Sequence, residues 1–258
     1  MATSIRWMAP PANSIGNFKP ATVHASPAIS GGILFVGSWD SYFYALDTAT
    51  GKEKWRFKTG VDEDIHNQVG TQSSAAVADG IVYFGRRDSN FYALDAATGE
   101  KKWSFNNKGS WVITSPAVYD GKVYFGTSDT SLFFAFDAKT GGSPVLTLKF
   151  TWPIFSSPAL ADDTVYFGRH SGILTAVDLK TGKVAWTFQT DGAKQDLAAL
   201  SNPDGTPNYK DTFTENFYDN MITGVSKLLA TGAILSSRVV GGDSIYFGST
   251  DGNLYALH

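Results

Sequence analysis

Ala45-Leu-Asp-Thr-Ala-Thr-Gly-Lys-Glu-Lys-Trp-Arg-Phe57 returns, lightly altered, along the chain. Ala93-Leu-Asp-Ala-Ala-Thr-Gly-Glu-Lys-Lys-Trp-Ser-Phe105 repeats it almost residue for residue, and Ala176-Val-Asp-Leu-Lys-Thr-Gly-Lys-Val-Ala-Trp-Thr-Phe188 does so again. Ala135-Phe-Asp-Ala-Lys-Thr-Gly141 keeps the first half. A unit that recurs in this way buries its apolar face against its neighbours, so the chain reads as an array of repeats.

Working outward from that stretch, each repeat contains four short strands. In the first these are His24–Ser30, rich in small residues, then Ile33–Ser38, Ser41–Asp47 and Lys54–Lys58. Gly31-Gly32, Trp39-Asp40 and Thr48-Ala-Thr-Gly51 mark the turns between them. The pattern recurs through Val123-Tyr-Phe-Gly126 and Val165-Tyr-Phe-Gly168, although the third repeat has Val145-Leu-Thr-Leu148 where tryptophan is expected. A period of roughly 40 to 48 residues with four strands is that of a propeller blade. The fifth repeat has no fourth strand after Leu254-Tyr-Ala-Leu257, whereas Ile5-Arg-Trp-Met8 has the pattern of a fourth strand with no repeat before it. The reading is therefore an all-β fold, a β-propeller of four-stranded antiparallel blades forming one domain over residues 1–258. Five blades are expected, with the N-terminal strand closing the last, an arrangement that would remove exposed sheet edges.

One segment breaks the period. Residues 192–232 contain no Tyr-Phe-Gly strand and are read as an insertion on one face. Ser201-Asn-Pro-Asp-Gly-Thr-Pro-Asn208 is a loop. Phe217, Met221, Val225, Leu228 and Leu229, following a Thr214 cap, have the spacing of an amphipathic helix packed on the propeller.

Composition narrows the function classes. There is no cysteine, so disulfides, thiolate metal sites and cysteine nucleophiles are excluded. A net charge of -3 without a long basic run points away from nucleic acid and anionic membranes. The N-terminus lacks an apolar stretch long enough for a signal peptide, and no segment reads as a membrane span.

Antiparallel alternation places the short, uniform turns on one face and the irregular loops on the other. The irregular face collects the candidate binding residues: His24, Gln72, Trp111 and Trp152 on the approaches to the first strands, and Trp39, Arg86, Arg87, Arg169 and His170 on the turns between the second and third. Guanidinium groups beside indoles suit a small anionic or saccharide ligand. The competing reading, given more weight, is that the arginines pair with Asp40, Asp88 and Asp129 and merely bridge blades. Asp62, Glu63, Asp64 and His66 lack the spacing of a cation loop and read as solvated charge. No metal site, cofactor site or catalytic residue is assigned.

The motif Ala-x-Asp-x-x-Thr-Gly-x-x-x-Trp, at Ala45 to Trp55, Ala93 to Trp103 and Ala176 to Trp186, resembles the tryptophan-docking repeat of the quinoprotein-like propellers. That family includes pyrroloquinoline quinone (PQQ) dehydrogenases and outer-membrane assembly lipoproteins of the BamB type. The resemblance implies that each tryptophan docks between blades and each motif glycine takes a tight turn. The enzymatic branch typically has eight blades, stacks its quinone on vicinal cysteines and holds calcium with a Glu/Asn/Asp set. This chain has no cysteine and reads as five blades, so the resemblance favours the non-catalytic branch, a monomeric protein-interaction scaffold. It also favours a periplasmic or extracytoplasmic setting. Ligand binding and a quinoprotein dehydrogenase are the alternatives.

Overall fold

Runs of five or six β-branched and aromatic residues, punctuated by Asp-Gly and Thr-Gly turns, favour short antiparallel meanders. Those meanders form the protein, seen in a computed structural model that describes residues 22–61, 70–213, 216, 223–237 and 239–258. The first sheet holds β1 (Ala28–Ser30), β2 (Ile33–Gly37), β3 (Tyr42–Asp47) and β4 (Glu53–Lys58). The second holds β5 (Ala76–Ala78), β6 (Ile81–Gly85), β7 (Asn90–Asp95) and β8 (Lys101–Asn106). The third is β9 (Ala117–Tyr119), β10 (Lys122–Gly126), β11 (Leu132–Asp137) and β12 (Gly141–Lys149); the fourth is β13 (Ala159–Ala161), β14 (Thr164–Gly168), β15 (Ile173–Asp178) and β16 (Lys183–Gln189). The fifth has three strands, β17 (Val239–Gly241), β18 (Ser244–Gly248) and β19 (Leu254–Leu257). Within each sheet every strand pairs with the next in sequence. The expected blades of a β-propeller are thus present. The N-terminal strand over Ile5–Met8 lies outside the described residues.

The first strands are shorter than the sequence suggests, three residues in place of seven in the first blade. Pro27 has no N–H for a ladder, and the residues before it turn to the next blade instead. Ser26 N donates to Ser74 Oγ at 3.0 Å, Ser74 N to Ser115 Oγ at 2.9 Å, and Ser115 N to Ser157 Oγ at 3.1 Å. A serine at this one position of each repeat therefore stitches successive blades together.

Between blades the core is aromatic. Phe43 stacks on Phe84 at 3.8 Å, Phe91 on Phe125 at 4.0 Å and Phe133 on Phe167 at 4.1 Å, all fully buried. Farther out, Trp55 Nε1 donates to the Ala96 carbonyl at 3.1 Å and Trp103 Nε1 to the Ala138 carbonyl at 2.9 Å. The motif glycines lie against these indoles. A Cβ on Gly99 or Gly141 would stand 2.7 Å from the ring of Trp55 or Trp103, and both glycines have positive φ. In the third blade Leu146 occupies the tryptophan position, paired with Ala135 as Trp55 is with Ala45 and Trp103 with Ala93. The motif aspartate shapes the turn: Asp47 Oδ1 accepts from Ala49 N, Thr50 N and Thr50 Oγ1.

Among the described residues this packing is not continued at the third strand of the fifth blade. Leu254 occupies the position of Phe43, Phe91, Phe133 and Leu174, all 0% exposed, yet it is 78% exposed.

The insertion corrects one expectation. Its described helices are α1 (Asp191–Asp196), α2 (Tyr209–Thr212) and α3 (Val225–Ala230). The first two escaped the sequence reading because they are too short to show an apolar stripe. Of the single expected helix, α3 is the described part; Thr214, Phe217 and Met221 lie outside the described residues. Thr190 Oγ1 caps α1 by accepting from Ala193 N. The insertion is tied to the fourth and fifth blades, with Asp191 N donating to Tyr255 Oη at 2.8 Å and Thr231 Oγ1 to the His170 carbonyl at 2.9 Å.

Candidate functional site

The turns between second and third strands, and the segments leading into each next first strand, converge on the irregular face. Glycines that end the second strands let them approach: a Cβ on Gly85 would stand 2.3 Å from the Val112 carbonyl oxygen. The candidate residues gathered there separate into three groups.

The first group is a stack. The guanidinium of Arg87 lies 4.4 Å from the ring centroid of Trp111 and 5.3 Å from that of Trp39. His24, which is exposed, also packs on Trp39, with ring centroids 4.5 Å apart. Arg87 Nε donates to Gln72 Oε1 at 3.0 Å, which fixes the plane of the guanidinium. Burial lowers the pKa of Arg87. Trp39, Arg87 and Trp111 are all half-buried, so the stack is a preformed patch and not a core element.

The second group is structural. Arg86, 1% exposed, donates from Nη1 to Asp88 Oδ2 at 3.1 Å and to the Gly60 carbonyl at 3.0 Å, and from Nη2 to Ser41 Oγ at 2.9 Å. Tyr92 Oη completes the arrangement by donating to Asp88 at 2.6 Å. For Arg86, blade bridging is the role the geometry supports. The other aspartates named with it are engaged elsewhere: Asp40 accepts from Tyr44 Oη at 2.7 Å and Asp129 from Ser128 Oγ at 2.6 Å.

The third group lies between the third and fourth blades under the insertion. Trp152, 2% exposed, donates from Nε1 to the Gly205 carbonyl and so anchors the loop above it. His170 packs between Trp152 and Phe155, and burial pushes its pKa down to about 4. Arg169, 8% exposed, lies over Phe150 at 4.9 Å and lines a cavity of about 640 Å³. Lys149, Thr151, Asp129, Thr206 and Tyr209 share its walls. The sequence reading missed these partners because Lys149 ends an exposed outer strand, Phe150 follows it and Tyr209 belongs to the insertion. A signal was present: aligning Arg169-His-Ser171 with Arg86-Arg-Asp88 shows serine where the structural aspartate stands.

The acidic loop containing Asp62, Glu63, Asp64 and His66 lies outside the described residues. Among the described residues no three His, Asp or Glu side chains gather as metal ligands, and no helix is long and apolar enough to cross a membrane.

A family model described as outer membrane protein assembly factor BamB matches residues 5–188 and 92–258. No curated protein matches the sequence. Among solved structures, BamB from Moraxella catarrhalis is similar with a TM-score of 0.64 at 17% identity, over 92% of this chain and 58% of that one. Quinohemoprotein alcohol dehydrogenase from Comamonas testosteroni has a TM-score of 0.68 at 19% identity, over 92% of this chain and 41% of that one. The computationally designed Ika8 protein has a TM-score of 0.63 at 16% identity, over 89% of this chain and 56% of that one. The chain thus spans well under two thirds of each of these structures, and at such identities the likeness is one of fold. With its family model spanning the repeats from end to end, the chain belongs to the PQQ-like repeat β-propellers of the outer membrane protein assembly factor BamB family.

Proposed function

We propose that this propeller is a non-catalytic scaffold that presents its irregular face to a protein partner, with the Trp39–Arg87–Trp111 stack as the anchor. The observation that carries this reading is the stack itself. Tryptophan and arginine dominate the energetics of protein interfaces, because each brings a large rigid surface and a fixed set of donors. Here the arginine is held between two indoles by Gln72 before any partner arrives, which lowers the ordering cost of association. The BamB structure and the family description supply the precedent of an assembly role.

The quinoprotein alternative asks for a site that these residues do not make. The vicinal cysteines of the enzymatic branch have no counterpart in a chain without cysteine. The buried arginine of the second blade, Arg86, is already neutralised by Asp88. The residues present thus offer PQQ no vicinal cysteine pair on which to stack.

The test is affinity capture from an extract of the source cells, with captured proteins identified, comparing wild type with Arg87→Ala and Trp111→Ala. Specific partners lost in both variants, with unchanged circular dichroism, support the reading. An identical set of partners retained by both variants refutes it.

A further inference from the structure

The second and fourth blades place an arginine at the same turn position, directly after the glycine that ends the second strand: Arg86 after Gly85 and Arg169 after Gly168. Their surroundings differ at two positions. Where the second blade has Asp88 and Tyr92, hydrogen-bonded to each other at 2.6 Å, the fourth has Ser171 and Thr175. Asp40 with Tyr44 and Asp251 with Tyr255 repeat the carboxylate–phenol pair in the first and fifth blades, at 2.7 Å each. The fourth blade is therefore the one that carries the arginine and lacks the pair.

Two consequences are visible. Among the described residues, the Arg169 side chain makes no ion pair or hydrogen bond, whereas Arg86, whose Nε is likewise enclosed without a partner, engages both of its Nη atoms. His170 Nδ1, Ser171 Oγ and Thr175 Oγ1, all beside it in the chain or the sheet, are likewise enclosed and unpartnered. A buried cation without a counter-charge is unfavourable, and in most folds it is paired or absent. Here it stands at the wall of a cavity of about 640 Å³, a size typical of small-molecule sites.

The rest of that wall describes what would satisfy it. Lys149 adds a second positive charge on the rim, its Nζ held by the Thr130 carbonyl. Phe150 and Pro153 give an apolar surface, and Phe150 also covers one face of the Arg169 guanidinium. Asp129, exposed on the same rim, and Tyr209 offer an acceptor and a hydroxyl suited to the hydroxyl groups of a ligand, while the Thr206 hydroxyl is held within its own loop by Asp204 and Asn202. A simple inorganic anion would meet the arginine and be repelled by Asp129. A sugar acid meets all three features, with its carboxylate on Arg169 and Lys149, its hydroxyls on Asp129 and Tyr209, and its C–H face on the apolar wall of Pro153 and Phe150.

We propose that the cavity between the third and fourth blades binds a small carboxylate-bearing sugar of the hexuronate class, with Arg169 as its carboxylate receptor. The site uses none of the residues of the Trp39–Arg87–Trp111 stack, so it stands or falls separately from the scaffold reading.

Calorimetric titration with glucuronate, glucose, acetate and sulfate tests it. Glucuronate should bind about tenfold or more tightly than the other three, because only it supplies both the charge-assisted bond and the hydroxyl contacts. Arg169→Met, which keeps the volume and removes the cation, should weaken glucuronate by about tenfold or more, while Arg87→Ala leaves it within about twofold. Absence of glucuronate binding at millimolar concentrations overturns the proposal. So does equal affinity for sulfate or acetate, which would mean a bare anion site, and so does full binding by Arg169→Met.

Discussion

The guanidinium of Arg86 lies 3.1 Å from the carboxylate of Asp88, with both side chains closed off from solvent. Arg169, its equivalent two blades on, has serine at the aspartate position. The pair makes opposite demands on mutation. Arg86→Met leaves a buried carboxylate uncompensated and should cost about 3 kcal/mol or more. Arg169→Met removes a cation that has no counter-charge and should be neutral or stabilising within about 1 kcal/mol. Urea unfolding midpoints of the two variants measure the contrast.

The docking tryptophans separate in the same way. Trp103 is hydrogen-bonded to the Ala138 carbonyl and packed against Gly141, whereas Trp186 is 40% exposed, at the rim of a cavity of about 510 Å³. Trp103→Ala should lower stability by about 3 kcal/mol or more, and Trp186→Ala by about 1 kcal/mol. Gly141→Ala should approach the cost of Trp103→Ala, because its Cβ would meet the indole at 2.7 Å in a left-handed turn. Thermal denaturation of the three variants is the check.

Stability should fall with pH in two stages. Burial holds the folded-state pKa of His170 at about 4, below the value of about 6.5 in an unfolded chain. The unfolded state therefore binds the extra proton, so the His170 contribution is complete above about pH 6.5 and declines as pH falls toward 4. The motif aspartates Asp47, Asp95, Asp137 and Asp178 are all lowered. For Asp47 and Asp137 the leading cause is the hydrogen bond from the motif threonine side chain, for Asp178 the threonine N–H, and for Asp95 the hydrogen bond from Lys102. Their contribution is present above about pH 4 and is lost below it, as each takes up a proton. Unfolding midpoints between pH 8 and pH 3 should show both stages, with His170→Asn removing the upper one and Asp95→Asn shrinking the lower.

Trp152 pins the insertion through the Gly205 carbonyl. Trp152→Phe should therefore leave the blades folded while hydrogen exchange quickens in residues 201–207, a local effect that mass spectrometry resolves from global unfolding.

The blades were legible because their signals are local. Asp47, Thr50 and Gly51 make a turn by themselves, and tryptophan at a fixed distance beyond it docks on the equivalent turn of the next repeat, so spacing alone carries the architecture. Ser26, Ser74 and Ser115 were legible only as small residues, since their bonds run between blades. The site was half legible. The sequence placed Trp39, Arg87 and Trp111 on one face, but their stacking depends on loops from different blades approaching in space. Arg86 and Arg169 looked alike until Asp88 and Ser171 were set side by side. Lys149, Phe150 and Tyr209 join Arg169 through tertiary packing, which no local pattern records.

On the proposed function, the repeats build the scaffold while the face on which they differ makes the contacts. Hydrogen exchange on the protein with its captured partner bound tests it most directly. The account predicts slowed exchange in the segments holding Ser38–Ser41, Arg86–Ser89 and Trp111–Thr114, with no change at the Asp-x-x-Thr-Gly turns. Protection confined to those turns, with the Trp39–Arg87–Trp111 face unaffected, would contradict it.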